Sequence, residues 1–161
     1  MSRTHFAGVF DALYEGLARA SQSVYDEGVC VRLFVASRVL GALALEARGS
    51  GEVVPHEVVT ATLEHALSED EEGYFTLYVF TMVIGPRLLV SLRDDLERGV
   101  DEPTAEAWAA ASDAVIGQMN AISAFLRRRS APETPSWAPA ARALVDTLES
   151  AGYSDHLGPI R

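Results

Sequence analysis

The side chains best able to do chemistry in this chain are few and scattered. They are four histidines (His5, His56, His65 and His156), one cysteine (Cys30) and thirteen basic residues, all of them arginine. A single cysteine excludes an intrachain disulfide, a CxxC redox pair and a multi-cysteine zinc site. The absence of lysine excludes Schiff-base catalysis, a Walker P-loop and a Ser-x-x-Lys acylation site. A di-iron carboxylate bundle needs Glu-x-x-His on two helices, and no histidine here has a glutamate three positions before it. The nearest pairs are Glu52 with His56 and His65 with Glu69, each four apart, with Glu64 beside His65. Cys30 stands in the most apolar stretch with no base near it in sequence, a setting that keeps a thiol inert. Gly49-Ser50-Gly51 lacks both the third glycine and the preceding strand of a dinucleotide loop. Asp94-Asp95 is followed by Arg98 where a third metal-binding aspartate would be needed, so Asp94 and Arg98 read as an i, i+4 pair. No catalytic set, metal site or cofactor is expected. An enzyme using histidine and carboxylates for acid–base work is the third and weakest reading.

Two features point to binding instead. Tyr74, Phe75, Tyr78 and Phe80 fall within seven positions, a concentration suited to a core, an interface or an apolar pocket with hydroxyl handles. Arg32 and Arg38 interrupt the most apolar stretch and point roughly 240° apart on a helix. Each either extends its stem to solvent or requires a carboxylate, because an unpaired buried charge is prohibitive. A site made of Tyr74, Tyr78, Arg32 and Arg38 would take an acidic, aromatic or lipid-like small molecule. A second candidate surface is the apolar surplus of two helices, namely Val31, Phe34 and Val35 with Val79, Phe80 and Val83. It would form a homodimer or protein-binding interface, and Val83→Arg should then dissociate the dimer.

The elements that position these residues read as helices throughout. Thr4 is a candidate N-cap for a first helix ending near Ser23. Phe6, Val9, Phe10, Leu13, Leu17, Ala20 and Val24 lie on one face, and Asp11, Glu15 and Gln22 lie opposite. The second helix, Val29 to Arg48, is apolar almost all round and is expected to be buried on more than one side. Gly49-Ser50-Gly51 stops it. Pro55 opens a third helix carrying Val58, Val59, Leu63 and Leu67. The acidic run Glu69–Glu72 then suits the positive end of a fourth helix, Tyr74 to Arg98. Pro86 within that helix predicts a kink or a break. A fifth helix, Thr104 to about Arg129, carries a seam of Trp108, Ser112, Val115, Met119, Ile122 and Leu126. The prolines of Ser130–Pro139 connect it to a last helix, Ala138 to Ala151. Beyond Tyr153 the tail reads as loose, with Leu157 and Ile160 as anchors at most. The expectation is one all-α domain over residues 1–161, a bundle of five or six helices.

Length and charge set the outer limits. The 161 residues suffice for one well-buried core. A net charge of −10 argues against nucleic acid, whose binding needs a cationic stripe. The one basic cluster, Arg127 to Arg129, closes a helix, where cations suit the dipole. Met1 to Phe10 lacks the pattern of a signal peptide. The apolar runs Val29–Leu45 and Phe75–Leu92 are interrupted by arginine or proline, against the roughly 20 uninterrupted residues of a span. The sequence therefore predicts a cytoplasmic, non-enzymatic helical protein, acting through self-association as a homodimer or through a protein partner, with a regulatory role in view. The alternative is a small-molecule-binding module.

Overall fold

A computed structural model of the chain describes residues 2–129 and 137–158. Among these described residues it is all-helical, with six helices. They are α1 (Ser2–Ser23), α2 (Glu27–Arg48), α3 (Glu57–Glu69), α4 (Tyr74–Arg98), α5 (Glu102–Arg128) and α6 (Ala138–Ser150). Side chains set most of the boundaries. Asp26 caps α2 by accepting from the Val29 N–H at 3.0 Å, and Asp101 caps α5 by accepting from Thr104 at 2.9 Å. The Val29 backbone donor holds the Asp26 carboxyl below its usual range, with Arg129 adding to the effect at 2.9 Å. Asp70, rather than the acidic run as a whole, starts α4: its two oxygens accept from the Glu72 and Phe75 N–H groups. Gly73 between them has φ of 88°, a conformation only glycine adopts without strain. Two boundaries differ from expectation. Helix α1 begins at Ser2, which places Thr4 inside its first turn, and α3 begins at Glu57, after a buried His56.

Packing reverses the expected roles of the first two helices. Helix α1 is the central element, buried on both sides between α2 and α3. Its glycines allow that. A Cβ on Gly16 would come within 2.5 Å of Leu63 of α3, and Gly8 backs directly onto the Val54 carbonyl. On α2, Gly41 gives room to the Tyr14 ring of α1. Helix α2, expected to be enclosed, buries only Val29, Leu33, Ala36, Ser37, Leu40, Ala44 and Ala47. Its opposite face looks outward.

Helix α4 solves its proline locally. Pro86 has no N–H to give, and its ring conflicts with the carbonyl four residues earlier. A π-helical turn, Phe80–Ile84, absorbs the conflict, with the Gly85 N–H reaching back five residues to Phe80. Arg87 donates to the Val83 carbonyl at 2.9 Å. The helix therefore runs on through Pro86 without breaking. One extra residue turns the following stripe by about 100°, so that Phe75, Leu77 and Val79 before the turn, Phe80 at its start, and Leu88 and Leu92 after it all reach the core.

The seam of α5 packs as its spacing predicts, with Trp108, Val115 and Ile122 buried. Trp108 meets Phe6 and Phe10 at centroid distances of 5.0 and 6.3 Å and donates to Asp95 at 2.7 Å. Ser112, the polar member of the seam, satisfies its hydroxyl on the Trp108 carbonyl. The tail is not loose as far as Gly158. Arg87 holds the Tyr153 and Ser154 carbonyls, Ser91 accepts from the Leu157 N–H, and His5 donates to the Leu157 carbonyl at 2.6 Å. Leu157 is an anchor, buried completely. Ile160 and the connecting residues 130–136 lie outside the described residues.

Candidate functional site

The outer face of α2 is the feature the fold leaves unexplained. Counting 100° per residue, Val31, Phe34, Val35, Gly41, Ala42 and Leu45 all fall within about 60° of Arg38. The spacing 31, 34/35, 38, 41/42, 45 is that of a heptad seam, yet it faces solvent. Val31 is 45% exposed, Phe34 53% and Leu45 68%. Scattered exposed apolar residues are ordinary, but several on one helix face, here on either side of Arg38, are a mark of an interaction surface.

Beside this stripe lies a groove of about 330 Å³ between α1 and α2. Its walls are Asp11 and Tyr14 from α1, Arg38, Gly41, Ala42, Ala44, Leu45 and Arg48 from α2, and Val53. The groove exists because Gly41 has no side chain and Ala42 only a methyl group to fill it, while Tyr14 covers the glycine. It combines apolar walls with two cations and one carboxylate. Among the described residues no hydrogen bond or ion pair engages the side chain of Asp11, Arg38 or Arg48.

The sequence-derived interface divides in two. Val31 and Phe34 lie on the surface and Val35 is half-buried beside them. Val79, Phe80 and Val83 are core residues of the same chain. The π turn directs them inward, so they present no surface and Val83→Arg would strike the core rather than a contact between copies. The proposed ligand set divides as well. Arg38 lines the groove, whereas Tyr74 stacks on Phe125 at 6.5 Å and has Arg129 for its cationic neighbour. Tyr78 packs on Trp137 at 5.2 Å, and Arg32 is half-buried, its side chain without a partner among the described residues. These four side chains do not form one pocket. The aromatic wall of the groove is Tyr14, whose place in the sequence pattern is the polar edge of an amphipathic helix.

Other candidate chemistry resolves into structure. Cys30 is half-buried and donates to the Ser21 carbonyl. His65 and Glu69, four positions apart, form an exposed pair at 3.4 Å. Arg93, rather than Arg98, is the arginine facing Asp94. Arg129 reaches from the end of α5 to Asp26 at 2.9 Å. The pairing of His5 with His56 has no sequence signal at all, since 51 positions separate them. Their rings meet edge to face at 4.4 Å, both buried. Burial, and then the neighbouring His5, pushes His56 down to about 4; burial likewise lowers His5. The Tyr153 hydroxyl stands 3.4 Å from His56 Nδ1. No group of three or more metal-ligating side chains comes together among the described residues.

Helices α2 and α4 are both long and apolar enough, by length and composition alone, to cross a membrane. The protein itself buries 67% of the most apolar window of α4 and 33% of that of α2. Comparison with known proteins adds no name to this description: no family model, curated protein or solved structure matches the chain.

Proposed function

We propose that this is a non-enzymatic helical protein that acts by self-association, with the outer face of α2 as its contact surface. One observation carries the reading: Val31, Phe34 and Leu45 form an exposed apolar stripe on a helix whose other face already supplies the core. Association removes such surface from water, at roughly 25 cal/mol per Å² of apolar area, and homodimer contacts are more apolar than ordinary surface. The proposal places the protein in the cytoplasm, consistent with its one free thiol. Sedimentation velocity of the purified chain tests it. A species of twice 17.4 kDa that becomes monomeric in Phe34→Glu supports the reading. A monomeric wild type overturns it, and a monomer that floats with lipid vesicles assigns the stripe to a bilayer surface.

The groove favours a second reading. Apolar walls with Arg38 and Arg48 suit a small acidic, apolar molecule, the carboxylate on the arginines and the hydrocarbon on Leu45 and Val53. Fatty and aromatic acids should then raise the thermal midpoint by linkage, and the rise should vanish in Arg38→Gln.

A further inference from the structure

The face of α2 is not uniform along its length. Its first half carries bulk, Val31, Phe34 and Val35; its second half carries the small residues Gly41 and Ala42 and the groove that they leave open. Phe34 lies about 6 Å before Arg38 along the axis, and Gly41 to Leu45 lie about 4 to 11 Å after it. Both sit on the same side of the stripe, the side toward α1: Phe34 at about −40° from Arg38, Gly41 at about −60° and Leu45 at about −20°. A protrusion and a hollow at matching distances on either side of one residue form a self-complementary surface.

We propose that two copies associate through an antiparallel α2–α2 contact whose two-fold axis passes near Arg38, with Phe34 of each copy seated in the groove between Gly41 and Leu45 of the other. The inference rests on the reading of α2 as the self-association face and specifies its geometry. A cavity of about 150 Å³ accepts benzene, so the groove of about 330 Å³ has room for a phenyl ring. In the same arrangement Val31 meets Leu45 of the other copy, and Val35 meets Ala42. A parallel pairing would instead set Phe34 against Phe34 and leave both hollows empty.

Charge agrees with shape. The two-fold brings both Arg38 guanidinium groups toward the axis, where they would repel if alone. Each copy also carries Asp11 on the wall of the same groove, and neither residue has a partner within its own chain among the described residues. Pairing Asp11 of one copy with Arg38 of the other engages both. The surface thus combines exposed hydrophobic bulk, a fitting hollow, and unpaired charges of both signs, Asp11 with Arg38 and Arg48, which a second copy would cover and engage.

Cysteine cross-linking tests the geometry in a Cys30→Ser background, where serine keeps the hydrogen bond to Ser21. Disulfides form only between Cα atoms within about 7 Å. Mixing Val31→Cys with Leu45→Cys should give a covalent heterodimer under mild oxidation. Val31→Cys alone should give none, because the two copies of position 31 then lie about 21 Å apart along the helices. Cross-linking of Val31→Cys with itself would show a parallel pair and overturn the proposal. A wild type that sediments as a dimer while neither preparation cross-links also overturns it, yet leaves self-association standing through another surface. A monomeric wild type removes both readings. Arg38→Glu should weaken the dimer about tenfold or more, and Asp11→Arg added to it should restore most of the loss. Failure of the double variant to recover would overturn the ionic part of the contact. Phe34→Ala should raise the dissociation constant by at least about tenfold.

Discussion

Helices α2 and α4 are the two most apolar segments of the chain, and they place that apolarity in opposite directions. Helix α4 turns two-thirds of its most apolar window into the protein, whereas α2 turns in one-third. Composition does not separate them. What separates them is a π turn on one and a neighbour on the other. The extra residue at Phe80–Ile84 rotates the second half of α4 so that two apolar stripes, which would diverge on a regular helix, both meet the core. Helix α2 has no such turn, and α1 occupies its inner side so closely that only one stripe finds a partner. Hydropathy thus measures how much apolar surface a helix has; where the surface goes depends on what packs against it.

The largest effects should come from substitutions that treat α4 as if it were α2. Val83→Arg places a charge among buried side chains with no carboxylate partner and should cost about 3–5 kcal/mol. Urea unfolding at low protein concentration measures this. The sequence alone makes Val83→Arg a test of association; the structure makes it a test of folding. A variant as stable as the wild type would mean that Val83 faces outward and that the contrast between the two helices is wrong. Phe80→Ala should act in the same direction by leaving a cavity, at about 3–5 kcal/mol.

A smaller effect concerns how the second half of α4 is held. Ser91 and Arg87 fix the segment from Tyr153 to Leu157, and His5 closes it from α1. His5 and His56 are both depressed below the ordinary 6.5, His56 to about 4. The sign follows directly. In the unfolded chain both imidazoles take up protons near pH 6.5, while in the folded protein they resist. Stability is therefore complete above about pH 6.5 and declines as the pH falls toward about 4, by an amount on the order of 1–3 kcal/mol. Asp95, which favours a charged His5, reduces the loss, and His156 adds to it. Amide exchange of residues 153–158 should accelerate over this window ahead of α2, whose outer face contains no histidine. His56→Phe should flatten the profile; a profile unchanged by that substitution would put the acid sensitivity elsewhere.

These contrasts show how far the sequence can be read. Helix positions follow local rules, namely glycine at the stops and the α5 seam at its heptad spacing, so they are legible residue by residue. The ranking of α1 and α2 is not, because burial on a second face is decided by a neighbour distant in sequence. A signal for it does exist in α1, where Gly8, Ala12, Gly16 and Ala20 recur every fourth position. Small residues at that spacing let the α3 side come close along one face, the Val54 carbonyl at Gly8 and the Leu63 side chain at Gly16, while the larger residues of α1 meet α2. The groove has half a signal. Arg38 stands out as an interruption of an apolar run, but its companions Asp11 and Tyr14 look like the polar edge of an amphipathic helix. The π turn can be foreseen only as a disturbance at Pro86, since kink, break and insertion all relieve the same clash. The His5–His56 contact depends entirely on tertiary packing.

The smallest expected effect gives the finest distinction between the helices. Met82 of α4 and Phe34 of α2 are almost equally exposed, at 57% and 53%. If exposure alone made a contact surface, the two would behave alike. Met82, however, belongs to a helix whose neighbouring apolar residues, Val79, Phe80 and Val83, all point inward. It is a single apolar side chain on the surface, and such residues are common and inert. Phe34 stands in a stripe with Val31, Val35 and Leu45. Met82→Ser and Phe34→Ser should each change the unfolding free energy of the monomer by less than about 0.5 kcal/mol, as surface substitutions generally do. Their sedimentation should differ: Met82→Ser keeps the wild-type association constant, and Phe34→Ser lowers it about tenfold or more. Equal loss in both would extend the contact surface over α4, and loss in Met82→Ser alone would transfer it there.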